Sequence, residues 1–256
     1  MLLVLDAGNT SVHVGCFENG VLVCRFALGV DAHRTADEYA FLLFSLLQRN
    51  GRDGKRIEGV MIASVVPSLT DTLKKAISTL TDAEILAVGP GVKTGFPIRL
   101  DNPSELGADL AANAAGAIAS VGYPVIIADL GTATTVMAID RDGAYIGGCI
   151  MAGAGMSLDA LQGAELLPDI PVASTLSPLG KNTKDCMRAG VVRGGAMAVN
   201  GFVELYRKLP SVGKNAALVV TGGYAEWFLP YLPKEAKHMP RLTLEGLRVI
   251  WELNQK

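Results

Sequence analysis

One segment of this chain occurs twice, and the repeat restricts the fold more than any other feature. A short apolar run at residues 2–5 leads into Asp6-Ala7-Gly8-Asn9-Thr10. The apolar run at 125–128 leads into Asp129-Leu130-Gly131-Thr132-Ala133-Thr134-Thr135, so the two aspartates stand 123 positions apart. Each run is too short for a helix and ends in turn-forming residues, so each reads as a buried strand delivering an acidic residue and a glycine turn. A hairpin pattern follows each turn. The first is 12–17 and 21–26 around Asn19-Gly20, and the second is 136–139 and 144–147 around Asp142-Gly143. Strand, glycine turn and hairpin recurring at this interval predict two domains of one topology, and 256 residues suffice for two of ordinary size. The boundary is expected near residue 115, giving domains 1–115 and 116–256.

The remaining periodicity fills in the halves. Helices are expected at 36–48 (Ala40, Leu43, Phe44 and Leu47 on one face), 68–80, 105–120, 158–161, 185–209, 224–229 and 244–254. Strands are expected at 59–66, 84–88 and 216–220. The uncharged stretch 110–128 approaches the ~20 residues of a membrane span. Gly122 and Pro124 interrupt it, so it reads as a helix followed by a strand.

Composition narrows the function classes. Half the residues are hydrophobic, which excludes disorder, and 23 basic against 25 acidic residues give a net charge of −2, which argues against a broad nucleic-acid surface. Cys16, Cys24, Cys149 and Cys186 form no Cys-x-x-Cys pair and read as buried small hydrophobes of a reducing cytosol. The apolar start meets Asp6 without a basic segment, so no signal peptide is expected and the location is read as cytoplasmic. His13, His33 and His238 lack ligand spacing, and His13 in a strand reads as structural.

The chemistry sits in the turns. A glycine turn exposes backbone N–H groups that cradle phosphate oxygens, and Asp6 would hold Mg²⁺ through water. The second copy, from Asp129, lets two such turns serve one triphosphate. Thr221-Gly222-Gly223 follows a strand and would seat a base or ribose. The P-loop and the Gly-x-Gly-x-x-Gly fingerprint are both absent from the sequence. In Asp101-Asn102-Pro103-Ser104-Glu105-Leu106-Gly107-Ala108-Asp109, Asn102 or Ser104 is expected to cap a helix. Gly107 inside that helix would cost about 1 kcal/mol relative to alanine, which points to close approach by a ligand. Asp109, beside an alanine-rich uncharged helix, is a candidate general base for an alcohol, or else an acidic residue favoured by the helix dipole. Of the 29 glycines, Gly8, Gly107, Gly131, Gly147, Gly148, Gly222 and Gly223 are expected in turns that face the ligand.

In this order, Asp6-x-Gly8-Asn9-Thr10, Gly91-Val92-Lys93-Thr94-Gly95, Asp101 to Asp109, Asp129-x-Gly131-Thr132-Ala133-Thr134, Gly147-Gly148-x-Ile150, Gly180-Lys181-Asn182-Thr183 and Thr221-Gly222 resemble the type III pantothenate kinases over essentially the whole chain. The resemblance implies duplicated ribonuclease-H-like α/β domains of the acetate kinase, sugar kinase, Hsp70 and actin superfamily. It implies ATP-dependent phosphorylation of pantothenate, the first step toward coenzyme A, with Mg²⁺ accompanying ATP and a monovalent cation, potassium or ammonium, at Asp129. It assigns Asp6, Ala7, Gly8, Asn9, Thr10, Ser11, Val12 and His13 to the first phosphate loop. Gly131, Thr132, Thr221 and Gly222 are assigned to ATP, and Leu100, Gly107, Ala108, Asp109 and Leu110 to pantothenate. Asp109 matches the base. Thr183 matches a contact from a neighbouring subunit, which makes the family a homodimer, with neither a membrane nor a nucleic-acid partner expected.

The chain departs from that pattern in three places. Leu110 stands where an arginine usually follows the catalytic aspartate, Leu100 stands where an aromatic is common, and Gly147-Gly148-Cys149-Ile150-Met151-Ala152-Gly153 lacks a proline. Arg99 is a candidate replacement for the missing cation. Two other readings are a nucleotide-binding regulatory homologue and a kinase of the same superfamily for another small alcohol or acid.

Overall fold

The computed structural model describes residues 1–162 and 176–255. The chain begins with strands β1 (Leu2–Ala7), β2 (Ser11–Glu18) and β3 (Val21–Gly29), helix α1 (Ala36–Arg49), strand β4 (Gly59–Ser64), helix α2 (Pro67–Ser78), strand β5 (Glu84–Ala87) and helix α3 (Ala108–Val121). It continues with β6 (Val125–Leu130), β7 (Ala133–Ile139), β8 (Tyr145–Ala152), α4 (Ala154–Gln162), α5 (Thr183–Arg188), α6 (Gly194–Arg207), β9 (Ala217–Thr221), α7 (Ala225–Phe228), β10 (Lys237–His238) and α8 (Leu242–Asn254).

The duplication is present in the topology. One sheet runs β3-β2-β1-β4-β5 and the other β8-β7-β6-β9-β10. In both, the strand bearing the repeated aspartate lies antiparallel to its hairpin neighbour and parallel to the strand on its other side. This is the duplication that the repeat predicts, in the ribonuclease-H-like arrangement that the family resemblance implies. The Asn19-Gly20 signal also holds. Both residues have positive φ, 51° and 77°, as a two-residue hairpin turn of matching twist requires.

One face of each sheet carries a core. Leu3, Leu5, Val12, Val14, Val60 and Ile62 pack with Tyr39, Leu43, Leu47, Leu73 and Ile77 of α1 and α2. Ile126, Ala128, Val136, Leu218 and Val220 pack with Val199 and Val203 of α6 and with Phe228. Helix α1 starts from a capping box in which the Thr35 N–H donates to Glu38 Oε2 at 2.7 Å. Its buried stripe is Tyr39, Ala40, Leu43 and Leu47, whereas Phe44, expected on that face, is exposed. Cys186 is likewise exposed rather than buried.

The stretch 110–128 forms most of α3 and most of β6, and no helix among the described residues is long and apolar enough to cross a membrane. The helix expected at 185–209 is three pieces, because a wider π-helical turn (Ala189–Arg193), followed by Gly194 and Gly195, separates α5 from α6.

Compactness divides the chain other than at one point. The first unit is Met1–Gly95, Asp101–Ala119 and Leu242–Lys256, and the second is Phe96–Leu100 and Ser120–Arg241. The last helix therefore belongs with the first sheet, because its apolar side covers the face of β1 and β4 opposite the α1–α2 layer.

Candidate active site

In the first unit, β1 places Asp6 near its end, opposite His13 of β2 and beside Ala63 of β4. Gly8, Asn9 and Thr10 form the connection to β2, closed by the Gly8 N–H donating to Ser11 O at 3.0 Å. Ala7 and Val12 are buried strand residues flanking the loop, while Asn9 and Thr10 are exposed. The His13 ring lies 3.0 Å from Ser11 Oγ, and desolvation together with Arg25 lowers its pKa. Both effects favour the neutral ring.

The segment leading to Asp109 differs from expectation in two details. Asn102 caps a short 3₁₀ turn (Pro103–Glu105), accepting from Ser104 N at 3.2 Å and Ser104 Oγ at 2.7 Å, and does not cap the long helix. Helix α3 starts at Ala108, and the Gly107 carbonyl accepts its first hydrogen bond, from Ala111 N at 2.9 Å. Gly107 therefore precedes the helix and carries no interior-glycine penalty. A Cβ on it would stand 2.7 Å from Asp109 Oδ1, so the glycine makes room for the protein's own carboxylate.

Asp109 is half-buried in the first turn of α3. Burial raises its pKa, and the backbone N–H groups of Leu110 and of Asp109 itself pull the other way, the first at 2.8 Å. Desolvation wins over the helix terminus. The result is a carboxylate more basic than an exposed one, held in a fixed orientation by its own helix.

In the second unit, β6 places Asp129 between two threonines, with Thr135 of β7 opposite it and Thr221 of β9 beside it in the register. Gly131 and Thr132 form the connection to β7, closed by the Gly131 N–H donating to Ala133 O at 3.1 Å. Thr221 is buried, and Gly222 has φ 101° with the space for a Cβ taken by the Leu130 backbone. Gly148 likewise lies within β8, with the Val136 carbonyl where a Cβ would be. At both glycines backbone packs on backbone, so neither position has room for a side chain.

Sequence reasoning missed two residues here. Thr135 is buried and its hydroxyl has no hydrogen-bond partner among the described residues. The short hairpin loop was the available signal, since it fixes Thr135 opposite Asp129. Gly153 lies against the Gly131 and Thr132 carbonyls, where no side chain fits.

Leu100 lies in the second unit near Gly147. Arg99 donates from Nη1 to Asp140 Oδ2 at 2.7 Å and from Nη2 to Asp142 Oδ2 at 3.2 Å. Its charge is paired with two carboxylates. Leu110 is half-buried. Thr183 is exposed at the start of α5, where Asn182 caps by accepting from Asp185 N at 3.0 Å.

The donor sets fit two different cations. Among the described residues no three His, Cys, Asp or Glu side chains cluster, so an all-protein metal cage is absent from them. One protein carboxylate, such as that of Asp6, suits Mg²⁺, which keeps most of its waters and is held largely by substrate phosphates. Asp129 has Thr135 and Thr221 as its register neighbours, so a carboxylate and two hydroxyl residues, the oxygen donor types a hard cation takes, stand side by side on the sheet.

Comparison with known proteins gives a consistent result. The model of the family described as type III pantothenate kinase matches residues 2–205. A type III pantothenate kinase of Moorella thermoacetica is 42% identical over 255 residues, covering 99% of this chain and 100% of that protein. Among solved structures, a Baf-family protein from Campylobacter jejuni superposes with a TM-score of 0.65 at 17% identity, covering 99% of this chain and 98% of the other. Component A of the (R)-2-hydroxyglutaryl-CoA dehydratase from Acidaminococcus fermentans gives 0.59 at 16%, covering 100% and 99%. At those identities the two structures speak to the fold alone.

Proposed function

The chain belongs to the type III pantothenate kinase family, and from that premise we propose how its own residues phosphorylate pantothenate with ATP, the reaction that begins coenzyme A synthesis. The observation that carries the assignment is Asp109, a half-buried carboxylate of raised pKa, in the same compact unit as the Asp6 glycine loop. Asp109 accepts the proton of the primary hydroxyl. The hydroxyl oxygen forms its bond to the γ-phosphorus of ATP as the bond to the ADP oxygen breaks. Phosphoryl transfer is mostly positioning and charge neutralisation, and the backbone N–H groups of Asn9 and Thr10 and of Thr132, in loops that the Gly8 and Gly131 N–H groups close, are suited to phosphate oxygens.

Asp6 would hold Mg²⁺ through water. Asp129, with the Thr135 and Thr221 hydroxyls beside it, would hold potassium or ammonium. Bound cations at these positions supply positive charge that the chain's near-neutral balance does not.

We assign Thr183 to the pantothenate site of a neighbouring subunit. Thr183 is exposed, and so are Ile150, Leu179 and Met197 of the same unit, each more than 70% accessible. Apolar side chains this open fit the buried part of a homodimer. ATP and pantothenate as substrates make the cytoplasm the compartment.

The test supplies purified protein with Mg-ATP, potassium and pantothenate up to millimolar levels and follows ADP release. Wild type is expected to turn over. Asp109→Asn is expected to abolish turnover and leave ATP binding unchanged. Loss of both together would make Asp109 a structural residue.

A further inference from the structure

Helix α8 touches both parts of the first unit that the proposed reaction uses. On one side it packs on β1 and β4, the sheet that carries Asp6, where the Trp251 ring lies on Gly59 and Leu244 approaches Gly15. On the other it meets α3, the helix that carries Asp109, at one close crossing. A Cβ on Gly116 would stand 2.8 Å from Leu242 O, and a Cβ on Gly246 would overlap the Ala112 carbonyl. Backbone therefore lies on backbone there, as only small residues permit.

The close approach of the two backbones holds the helices together at short range. A side-chain hydrogen bond spans the same crossing and adds a fixed direction to it. Thr243 Oγ1 of α8 donates to Asn113 Oδ1 of α3 at 2.8 Å. Asn113 is fully buried within an alanine-rich helix, where a buried amide oxygen is costly to leave unpaired. It also stands four residues after Asp109, on the same face of α3. A rotation of α3 that breaks the bond also turns the Asp109 carboxylate.

We propose that Thr243 is a positioning residue for Asp109, acting through Asn113 to set the rotation of α3 relative to the β1 sheet. The inference rests on the reading of Asp109 as the base. It gives the C-terminal helix, which lies beyond the segment matched by the family model, a role in catalysis.

The experiment is steady-state kinetics on Thr243→Val and Thr243→Ser, with Asp109→Asn alongside. Thr243→Val keeps the shape and removes the donor. Its kcat is expected to fall about 10- to 100-fold, the scale of an ångström-sized misplacement of a reacting group, while the KM for ATP holds. Thr243→Ser restores the donor and is expected to restore kcat. If Thr243→Val fails to fold, the double variant Asn113→Leu with Thr243→Val removes this bond from both sides. It is expected to fold and keep the kcat defect. A folded Thr243→Val with wild-type kcat, or a double variant with wild-type kcat, would overturn the proposal. Turnover surviving in Asp109→Asn would instead overturn the reading of the base.

Discussion

At the scale of single residues, the weight falls on Asp109 and Leu110. Burial holds Asp109 above the ordinary carboxylate value, so the folded chain binds that proton more tightly than the unfolded chain does. The protonated form stabilises the fold at low pH, and this contribution is lost as pH rises through the raised pKa. At neutral pH the ionised base therefore costs stability. Asp109→Asn removes the charge, so at pH 7 its Tm is expected to be no lower than wild type and to move upward. The difference should shrink as pH falls through the raised pKa and vanish below the ordinary carboxylate value, a pattern that thermal melts across acid pH would detect. In wild type, kcat should fall on the acid side as the same group protonates.

Leu110 raises the question of how the substrate's carboxylate is held, since Arg99 is already bound to Asp140 and Asp142. A hydrogen bond to a charged group contributes about 1.5–3 kcal/mol. Leu110→Arg is thus expected to lower the pantothenate KM by roughly 10- to 150-fold with kcat retained. An unchanged KM would mean that another group holds the carboxylate. The place of Asp109, an acidic residue opening an uncharged alanine helix, was legible in the sequence. The engagement of Arg99 was not, because its partners lie about forty positions away and meet it only in the folded chain.

At the scale of elements, the strands and their turns were legible, and the purpose of several glycines was not. The Asn19-Gly20 hairpin and the break at Gly122 and Pro124 follow from local backbone chemistry that any fold must respect. Gly222 looked like a turn residue open to a nucleotide, yet the Leu130 backbone fills the place of its side chain. Strand-to-strand proximity of this kind is decided by tertiary packing and leaves the same letter in the sequence as ligand approach. The two roles separate by measurement. Gly222→Ala forces a Cβ into that backbone at φ 101°, which should cost on the order of 2–5 kcal/mol from strain and overpacking together. For a chain of this size that is a Tm loss of about 5–15 °C. A variant with normal Tm and weakened ATP binding would mean that the glycine serves the ligand instead. Helix α8 teaches the same lesson. Its periodicity announced a helix, while its glycine, fitted against Ala112 and Gly116, became meaningful only once α3 lay across it.

At the scale of the whole molecule, the duplication read from two aspartate turns reappears as two sheets of one strand order, because a repeated pattern of strand, turn and hairpin leaves the chain few other topologies. The proposed homodimer goes one step further, since it makes Thr183 part of a neighbour's site and Asp109 part of its own. That division of labour predicts complementation. Thr183→Ala and Asp109→Asn are each expected to be impaired as homodimers. In a mixed dimer, one site carries both substitutions and the other carries neither. Random reassociation of equal amounts makes half the dimers mixed, so about a quarter of wild-type sites should be intact, since a twofold assembly pairs each residue with its partner's counterpart. Turnover of the refolded or co-expressed mixture should therefore exceed the mean of the two parents and approach that fraction. A mixture that shows only the mean of its parents, with mixed dimers verified by two affinity tags, would place Thr183 and Asp109 in the same subunit's site or separate Thr183 from the reaction altogether.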